Sequence, residues 1–230
     1  MTISKEPARI QAMFGSIAGS YDFLNHLLTG WQDVRWRRRA ALAAGVGPGG
    51  RVLDVCCGTA GLALALQRRM DGQGTVIATD FTQAMLVNAR PKLGNSIVRL
   101  GRADTLRLPF PDACFDACTV GWGVRNLADL AAGLREMRRV IKPGGRVVVL
   151  ESTQPQGVLF PHLFRVYFSK VMPLIGNLVS RSKAYNYLQQ SVYAFPDAEK
   201  LKAIMLGCGY SRVEYHLLTF GTIAIHVGYK

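Results

Sequence analysis

Two short apolar runs end next to acidic residues, and a glycine turn follows the first run. Segment 51–61 is typical of a strand that leads into a tight turn containing Gly58 and Gly61, and segment 75–80 is typical of a second strand that ends in Asp80. Small residues at such a turn let backbone N–H groups approach a ligand, and an acid on the next strand can accept hydrogen bonds from ribose hydroxyls. The pattern predicts a site for a nucleoside-containing cofactor, although a glycine-rich loop without a ligand remains an alternative.

The details of the turn favour S-adenosylmethionine over a dinucleotide. A G-x-G-x-x-G fingerprint would need a glycine where Ala60 stands, and Asp54, four residues before Gly58, would repel a pyrophosphate. An acid at that position suits the positively charged methionyl end of S-adenosylmethionine instead. A dinucleotide-linked or non-catalytic Rossmann protein is the alternative.

The elements that position these residues alternate between strand and helix. Strands are predicted near 51–55, 75–79, 97–100, 115–120 and 146–151, with helices near 60–70, 82–91 and 127–141. Alternation of this kind predicts an α/β fold with a mostly parallel sheet covered on both faces. Ligands bind beyond the carboxyl ends of such strands, so we expect 57–61, Asp80, Asp104 and 121–126 to meet in one crevice.

Length and composition indicate one domain. The 230 residues are 49% hydrophobic, enough for one substantial core. Within it we expect an N-terminal helical cap over 1–44, a cofactor-binding core over 45–151, a helical, aromatic-rich lid over 152–196, and a C-terminal helix with a closing hairpin over 197–230.

Cysteine content and the N-terminus predict a cytoplasmic protein. The five cysteines form no C-x-x-C pair, which indicates reduced thiols and neither a disulfide nor a metal site. No apolar run reaches the ~18 residues of a membrane span, and the first residues lack a signal-peptide pattern.

The net charge of +13 predicts an anionic partner, either nucleic acid or an acidic membrane surface. The aromatic and basic insertion that ends near Pro196 could rest on an anionic bilayer and admit a greasy substrate. An ordinary lid or a dimer helix is the alternative for this insertion, and the sequence leaves open whether the protein forms a homodimer.

Several blocks of the sequence resemble the ubiquinone/menaquinone biosynthesis C-methyltransferases. The matching blocks are 21–25 with Trp36, 52–60, 122–126, 139–145 through Glu151, and 226–230. The resemblance implies the class I methyltransferase fold, a Rossmann-like sheet of seven strands with a C-terminal hairpin. It also implies methyl transfer from S-adenosylmethionine to a ring carbon of a polyprenylated quinol, and demethylmenaquinol is the expected substrate of the variant at 54–60. The chain departs from the family pattern at Gly121, Trp122, Asp33, Thr29 and Thr153.

The resemblance also assigns cofactor contacts. It places them at Thr59, Asp80, Asp104, Thr105 and Gly121, in addition to Asp54 and Gly58 of the glycine turn. Asp80 would hold the ribose and Asp104 the adenine amino group. Phe81 would stack on the adenine together with Met85, although helical spacing explains these two as core residues nearly as well.

Carbon methylation requires a nucleophilic ring carbon, which a quinol provides when a hydroxyl loses its proton. Arg125 and Asn126 are candidates for orienting that hydroxyl and stabilising its anion, and their alternative is a helix cap with Asn126 as N-cap. Tyr21 and Asn25 resemble residues that close over the site, with a plain packing role as the alternative for Tyr21. His26 could act as a base, although a lone helical histidine is more often structural.

Other acceptors remain as alternatives. Nucleic acid is disfavoured because amino-directed enzymes of this fold carry an Asn/Asp-Pro-Pro-aromatic block where this chain has Gly121, Trp122 and Gly123. A smaller phenolic metabolite and a ubiquinone-pathway benzoquinol remain open.

Overall fold

A single seven-stranded sheet forms the centre of the computed structural model, which describes residues 5–155, 167–172, 174 and 184–230. The strands are β1 (Arg51–Val55), β2 (Thr75–Asp80), β3 (Val98–Arg102), β4 (Phe115–Gly121), β5 (Ile141–Ser152), β6 (Arg212–Leu218) and β7 (Ile223–Tyr229). Their spatial order is β3-β2-β1-β4-β5-β7-β6. The first five strands run parallel, and β7 is antiparallel to β5 and β6. The predicted mostly parallel sheet with a closing hairpin is confirmed.

Helices cover both faces of this sheet. They are α1 (Pro7–Ile17), α2 (Tyr21–Thr29), α3 (Gln32–Ala43), α4 (Gly61–Arg69), α5 (Gln83–Ala89), α6 (Leu130–Val140), α7 (Ala184–Ala194) and α8 (Ala198–Gly207). Val52 of β1 packs in a buried cluster with residues of α3, α4 and α5, whereas its neighbour Leu53 packs with α6 and α8. Successive residues of a strand face opposite sides, so each face of the sheet has its own core.

Two boundaries differ from the sequence-based expectation. Strand β5 starts at Ile141, earlier than the predicted start near residue 146, with a register shift between Phe115 and Ala117 of β4. Helix α6 starts later than predicted, because the side chain of Asp129 caps it by accepting a hydrogen bond from the Ala132 amide at 2.9 Å. The alternative of Asn126 as N-cap is therefore wrong.

The N-terminal segment forms three helices. The break between α2 and α3 falls at Gly30 and Trp31, which both adopt left-handed backbone angles with φ of 55° and 61°. Leu24 and Leu28 of α2 are buried against Met172 and Leu188. The cap therefore packs against residues that lie between β5 and α8 in the chain. Residues 156–166, 173 and 175–183 of the predicted aromatic insertion lie outside the described residues.

The strand order reverses between β1 and β4. In open parallel sheets the crevice at such a switch point binds ligands. The turn after β1 and the short helical turn Val124–Asn126 after β4 both open at this point. None of the described helices is long and apolar enough to cross a membrane.

Candidate functional site

The turn after β1 is fastened to the end of β2. The Gly58 amide donates to the Asp80 carboxylate at 2.8 Å, and the Cys57 amide donates to the Thr79 carbonyl at 2.9 Å. Gly58 and Ala60 both have positive φ, 54° and 65°. Alanine rarely adopts such an angle, so the neighbouring bonds hold the turn in a strained conformation of the kind that clusters at ligand sites.

Asp80 is ready to accept further hydrogen bonds. Its side chain is buried, and its other oxygen accepts from the Thr82 amide at 2.7 Å. Burial raises the pKa of Asp80, and the amides of Thr82 and Gly58 act against that rise by stabilising the carboxylate. Each carboxylate oxygen has two lone pairs, so a carboxylate at this position can also accept from the hydroxyls of a ribose.

A cavity of about 120 Å³ opens beside Asp80, and we call it the nucleoside cavity. The predicted cofactor residues that line it are Gly58, Asp80, Phe81, Asp104, Thr105 and Gly121, together with Met85. Asp104 is exposed and accepts a hydrogen bond from the Leu106 amide at 2.9 Å, whereas Thr105 is buried against the Cys56 sulfur at 3.3 Å. The structure thus brings the predicted stretches of sequence into one crevice.

A smaller cavity of about 30 Å³ lies over the glycine turn, and we call it the acidic cavity. Asp54 lines it together with Thr59. Asp54 is fully buried, and its Oδ1 accepts from the Thr119 hydroxyl at 2.6 Å while its Oδ2 has no partner among the described residues. Burial raises the pKa of Asp54 to about 7, and the hydrogen bond from Thr119 acts against this rise. An unpaired buried carboxylate oxygen is costly and indicates a cationic ligand.

A third cavity, the substrate chamber, measures about 250 Å³. Its lining includes the aromatic and aliphatic side chains of Met13, Phe14, Ile17, Tyr21, Leu28, Trp36, Trp122, Tyr167, Met172, Tyr187, Leu188 and Ile223. Tyr21 and Trp122 line all three cavities and therefore stand where they meet. A donor bound in the first two cavities would thus adjoin an acceptor in the third.

The Arg125 guanidinium faces this chamber and is paired with a buried carboxylate. Arg125 Nη1 donates to Glu151 at 2.6 Å and to the Trp122 carbonyl at 2.9 Å. Glu151 is 1% exposed at the end of β5, and its Oε2, like Arg125 Nε, has no partner in the described part of the chain. The pair places one fixed positive charge at the wall of an apolar chamber.

Asn126 lines the nucleoside cavity rather than the substrate chamber. Its side-chain oxygen accepts from the Tyr187 hydroxyl at 3.0 Å, and its amide nitrogen lies 3.4 Å from the Trp122 carbonyl. Tyr187 lines the substrate chamber, so Asn126 connects the two spaces through this tyrosine.

His26 is absent from the described lining of the chamber, but it contacts a residue that is part of that lining. Its Nδ1 lies 2.9 Å from an oxygen of Asp33, which is 1% exposed and also bonded to Thr29 and Arg37. Burial would raise the pKa of Asp33, but the Arg37 charge and the bond from His26 outweigh that effect and hold its pKa below the usual value. His26 reaches the chamber only through this carboxylate.

The comparisons with known proteins identify the family. The ubiE/COQ5 methyltransferase family matches the chain over residues 1–230. The chain belongs to this family. The demethylmenaquinone methyltransferase of Thermus thermophilus is 49% identical over 219 residues, which cover 94% of this chain and 99% of that protein. The ubiquinone/menaquinone biosynthesis C-methyltransferase of Geotalea daltonii is 40% identical over 232 residues and 99% of both chains.

Solved structures support the fold of this ubiE/COQ5 family member. A methyltransferase from Aquifex aeolicus that depends on S-adenosylmethionine superposes with a TM-score of 0.59 at 17% identity, over 84% of this chain and 87% of that one. A second methyltransferase that depends on S-adenosylmethionine, from Thermotoga maritima, superposes with a TM-score of 0.63 at 17% identity, over 94% of this chain and 98% of that one. The predicted class I methyltransferase with S-adenosylmethionine as its methyl donor is confirmed.

Sequence reasoning missed several polar residues of the methyltransferase site. Asp22 accepts from the Thr59 hydroxyl at 2.6 Å and pairs with Lys92, which ties α2 to the glycine turn. Glu151 and Arg37 are buried and charged. Glu151 pairs with Arg125, which follows β4, and Arg37 pairs with Asp33 one turn earlier on α3. A charged residue inside an otherwise apolar strand end was the available signal for Glu151.

Proposed function

We propose that this methyltransferase transfers the methyl group of S-adenosylmethionine to a ring carbon of demethylmenaquinol. The observation that carries the proposal is the largely apolar substrate chamber with a buried guanidinium, which adjoins both cofactor cavities. The names of the relatives from Thermus thermophilus and Deinococcus radiodurans, the latter 46% identical over 224 residues, point to the same reaction.

The residues present suit this cofactor. Asp80 offers acceptors to the ribose, Phe81 and Met85 offer flat and polarizable surface to the adenine, and the unpaired oxygen of Asp54 offers a site to the methionyl ammonium. When bound, S-adenosylmethionine supplies a methyl group already activated by the sulfonium charge. The protein then has to align the acceptor, exclude water and make the ring carbon nucleophilic.

Arg125 supports the last of these tasks. A phenol of pKa about 10 is mostly protonated near pH 7, and a fixed guanidinium beside the hydroxyl stabilises the phenolate. The phenolate in turn raises electron density on the neighbouring ring carbon. Glu151 holds the guanidinium in place from behind, because its carboxylate accepts the bond from Nη1.

Tyr21 and Trp122 shape the junction through which the methyl group must pass. Burial raises the pKa of Tyr21, so its hydroxyl stays protonated and can donate a hydrogen bond, although the nearby Arg125 and Arg37 charges moderate the effect. Tyr21 also packs edge-on against Phe14, with ring centroids 6.4 Å apart. These rings exclude water from the reacting atoms. Asn126 contributes by holding Tyr187 at the chamber wall.

We also propose that the protein docks on an anionic membrane through the outer side of α2 and α3, the docking face. This face exposes Phe23, Leu27, Trp31, Val34 and Leu42. Next to it, an open cleft is lined by the basic residues Arg37, Arg38, Arg68, Arg69 and Lys92. Apolar side chains ringed by positive charge suit the surface of an anionic bilayer. The inner sides of the same helices line the substrate chamber, so a lipid-tailed quinol would have a short path.

Methyl transfer from labelled S-adenosylmethionine tests the function. We expect label on the ring carbon of a reduced short-tail demethylmenaquinone, with a demethylated benzoquinol and bulk RNA as parallel acceptors. Arg125→Gln should lower turnover at least about tenfold, because it removes the charge that stabilises the phenolate, while cofactor affinity stays within about twofold.

Each other outcome has a definite meaning. Label on the benzoquinol alone would replace the proposed substrate by one of the ubiquinone type. Label on none of the three acceptors, with S-adenosylmethionine still bound, would contradict the quinol proposal and favour a different phenolic acceptor. A normal turnover in Arg125→Gln would remove this arginine from the chemistry.

A further inference from the structure

The acidic cavity has buried charges of opposite sign in its wall. Asp54 and Arg37 both line this cavity of about 30 Å³. Both are less than 9% exposed. A small cavity with one anion and one cation in its lining matches a zwitterion, and the end of S-adenosylmethionine that carries the amino acid is one.

Asp54 has a free acceptor position in this cavity. Its Oδ1 is used by the Thr119 hydroxyl, while its Oδ2 is buried without a partner among the described residues. A carboxylate oxygen left in this state by the folded chain suits the ammonium group of the ligand.

Arg37 is held in place by three different elements. Its Nη1 is bonded to Asp33 one turn earlier on α3, and its guanidinium carbon lies 5.1 Å from the centre of a Trp122 ring. Its Nε packs against the start of α4, where a Cβ added to Gly61 would come within 2.9 Å. The guanidinium is therefore fixed beside the glycine turn before any ligand arrives.

The bond to Asp33 involves only Nη1 of the Arg37 guanidinium. Arginine carries five N–H groups in a planar fork that matches a carboxylate. Asp33 lies on the side of the substrate chamber, whereas Arg37 lines the substrate chamber, the acidic cavity and the open cleft. The side chain can therefore keep its bond to Asp33 and still present N–H groups to the acidic cavity.

We propose that Arg37 binds the α-carboxylate of the cofactor's methionyl group, opposite the ammonium bound by Asp54. The assignment rests on the cofactor and does not depend on which quinol is methylated. It gives α3 a direct part in cofactor binding and explains why a charged residue of this helix is buried. It also connects the cofactor to the substrate chamber through Asp33.

Calorimetry with two ligands tests this assignment without any methyl acceptor. One ligand is S-adenosylhomocysteine, and the other is decarboxylated S-adenosylmethionine, which lacks the α-carboxylate. We expect Arg37→Gln to weaken S-adenosylhomocysteine binding about 10- to 100-fold, as the loss of a charge-assisted contact does. Binding of the decarboxylated ligand should change less than about twofold.

A matched control and a conservative variant complete the test. Arg39→Gln, at an exposed position of α3 two residues further along the helix, should leave both affinities unchanged. Arg37→Lys keeps the charge but loses the fork, so it should weaken S-adenosylhomocysteine by less than Arg37→Gln does and spare the decarboxylated ligand. Affinity for methylthioadenosine, which lacks the whole amino-acid end, reports whether the nucleoside cavity is intact in each variant.

Two results would overturn the proposal. Equal losses for both ligands would mean that Arg37 only supports the fold around Asp33 and Trp122. Unchanged binding of S-adenosylhomocysteine in Arg37→Gln would mean that the carboxylate lies elsewhere. Because no quinol is present, either result is independent of the proposed substrate.

Discussion

We predict that a buried carboxyl group, that of Asp54, couples ligand binding to pH. The pKa of Asp54 is raised to about 7 by burial, so this group changes its charge within the physiological range. A cationic ammonium binds the ionised form and lowers this pKa again. Binding should therefore release protons near neutral pH.

We predict that affinity for S-adenosylhomocysteine falls about tenfold between pH 8 and pH 6, since the ionised fraction of a group with a pKa near 7 falls by that factor. Calorimetry in two buffers of different ionisation enthalpy measures both the affinity and the protons released. In Asp54→Asn the affinity should be lower and nearly independent of pH. A pH dependence that persists in this variant would assign the titration to another group, of which Asp80 is the nearest candidate.

The role proposed for Arg125 requires a charge to be kept in an apolar chamber, and its ion pair with Glu151 makes this possible. Both side chains are nearly inaccessible, and neither would be stable there alone, because an unpaired buried charge costs several kcal/mol. The pair neutralises itself, and Arg125 still lines the substrate chamber. Arg125 and its partner Glu151 are 26 positions apart in sequence.

At the scale of elements, the turns after β1 and β4 support each other. Trp122 has a φ of 56° and Cys56 a φ of 50°, and Gly123, which follows Trp122, packs directly against Cys56. A Cβ added at Gly123 would come 2.4 Å from the Cys56 Cβ, a backbone-proximal atom that cannot rotate away. Only glycine allows the two turns to approach so closely.

We predict that Gly123→Ala destabilises the protein by about 1–3 kcal/mol and weakens cofactor binding, because the overlap must push the two turns apart. Urea unfolding gives the first quantity and calorimetry the second. Gly207→Ala at the end of α8, where an added Cβ meets nothing within 4 Å, is the control and should cost nothing. Equal stability of the two variants would show that the turns can separate freely.

At the scale of the whole molecule, the proposed docking face would let part of the net charge of +13 attract an anionic membrane. The exposed side chains of Leu27 and Trp31 would enter the bilayer, and the basic residues of the adjoining cleft would meet its charged lipids. Attraction of this kind is screened by salt, whereas the apolar contribution is not.

We predict binding to vesicles that contain anionic lipid, with weaker binding at 0.5 M than at 0.05 M salt, measured by flotation. Combining Leu27→Ser with Trp31→Asn, which tolerates the left-handed backbone, should weaken binding at least about tenfold. Leu206→Ser on α8, where the leucine is 42% exposed as Leu27 is, serves as the control. An equal loss in the control, or equal binding to uncharged vesicles, would contradict the docking face.

The sequence by itself determined the fold class and the cofactor, and it predicted the residues around the ribose. These follow from local patterns: apolar runs of strand length, a glycine turn, and acids at strand ends. The parallel sheet then brings Asp80, Asp104 and Gly121 together without further information. The block 122–126 likewise predicted residues near the substrate, and Trp122 and Arg125 of this block line the substrate chamber.

The tertiary structure decided the pairings that cross between elements. Three pairs of residues that lie near each other in the structure are distant in sequence: Arg125 with Glu151, Thr59 with Asp22, and Asp54 with Arg37. Nothing in the local sequence of either member specifies its partner. Helix boundaries also depended on such contacts, as the Asp129 cap and the extended backbone at Leu127 show. Buried charges are positioned by the summed geometry of several packed elements, so their partners appear only when the chain is folded.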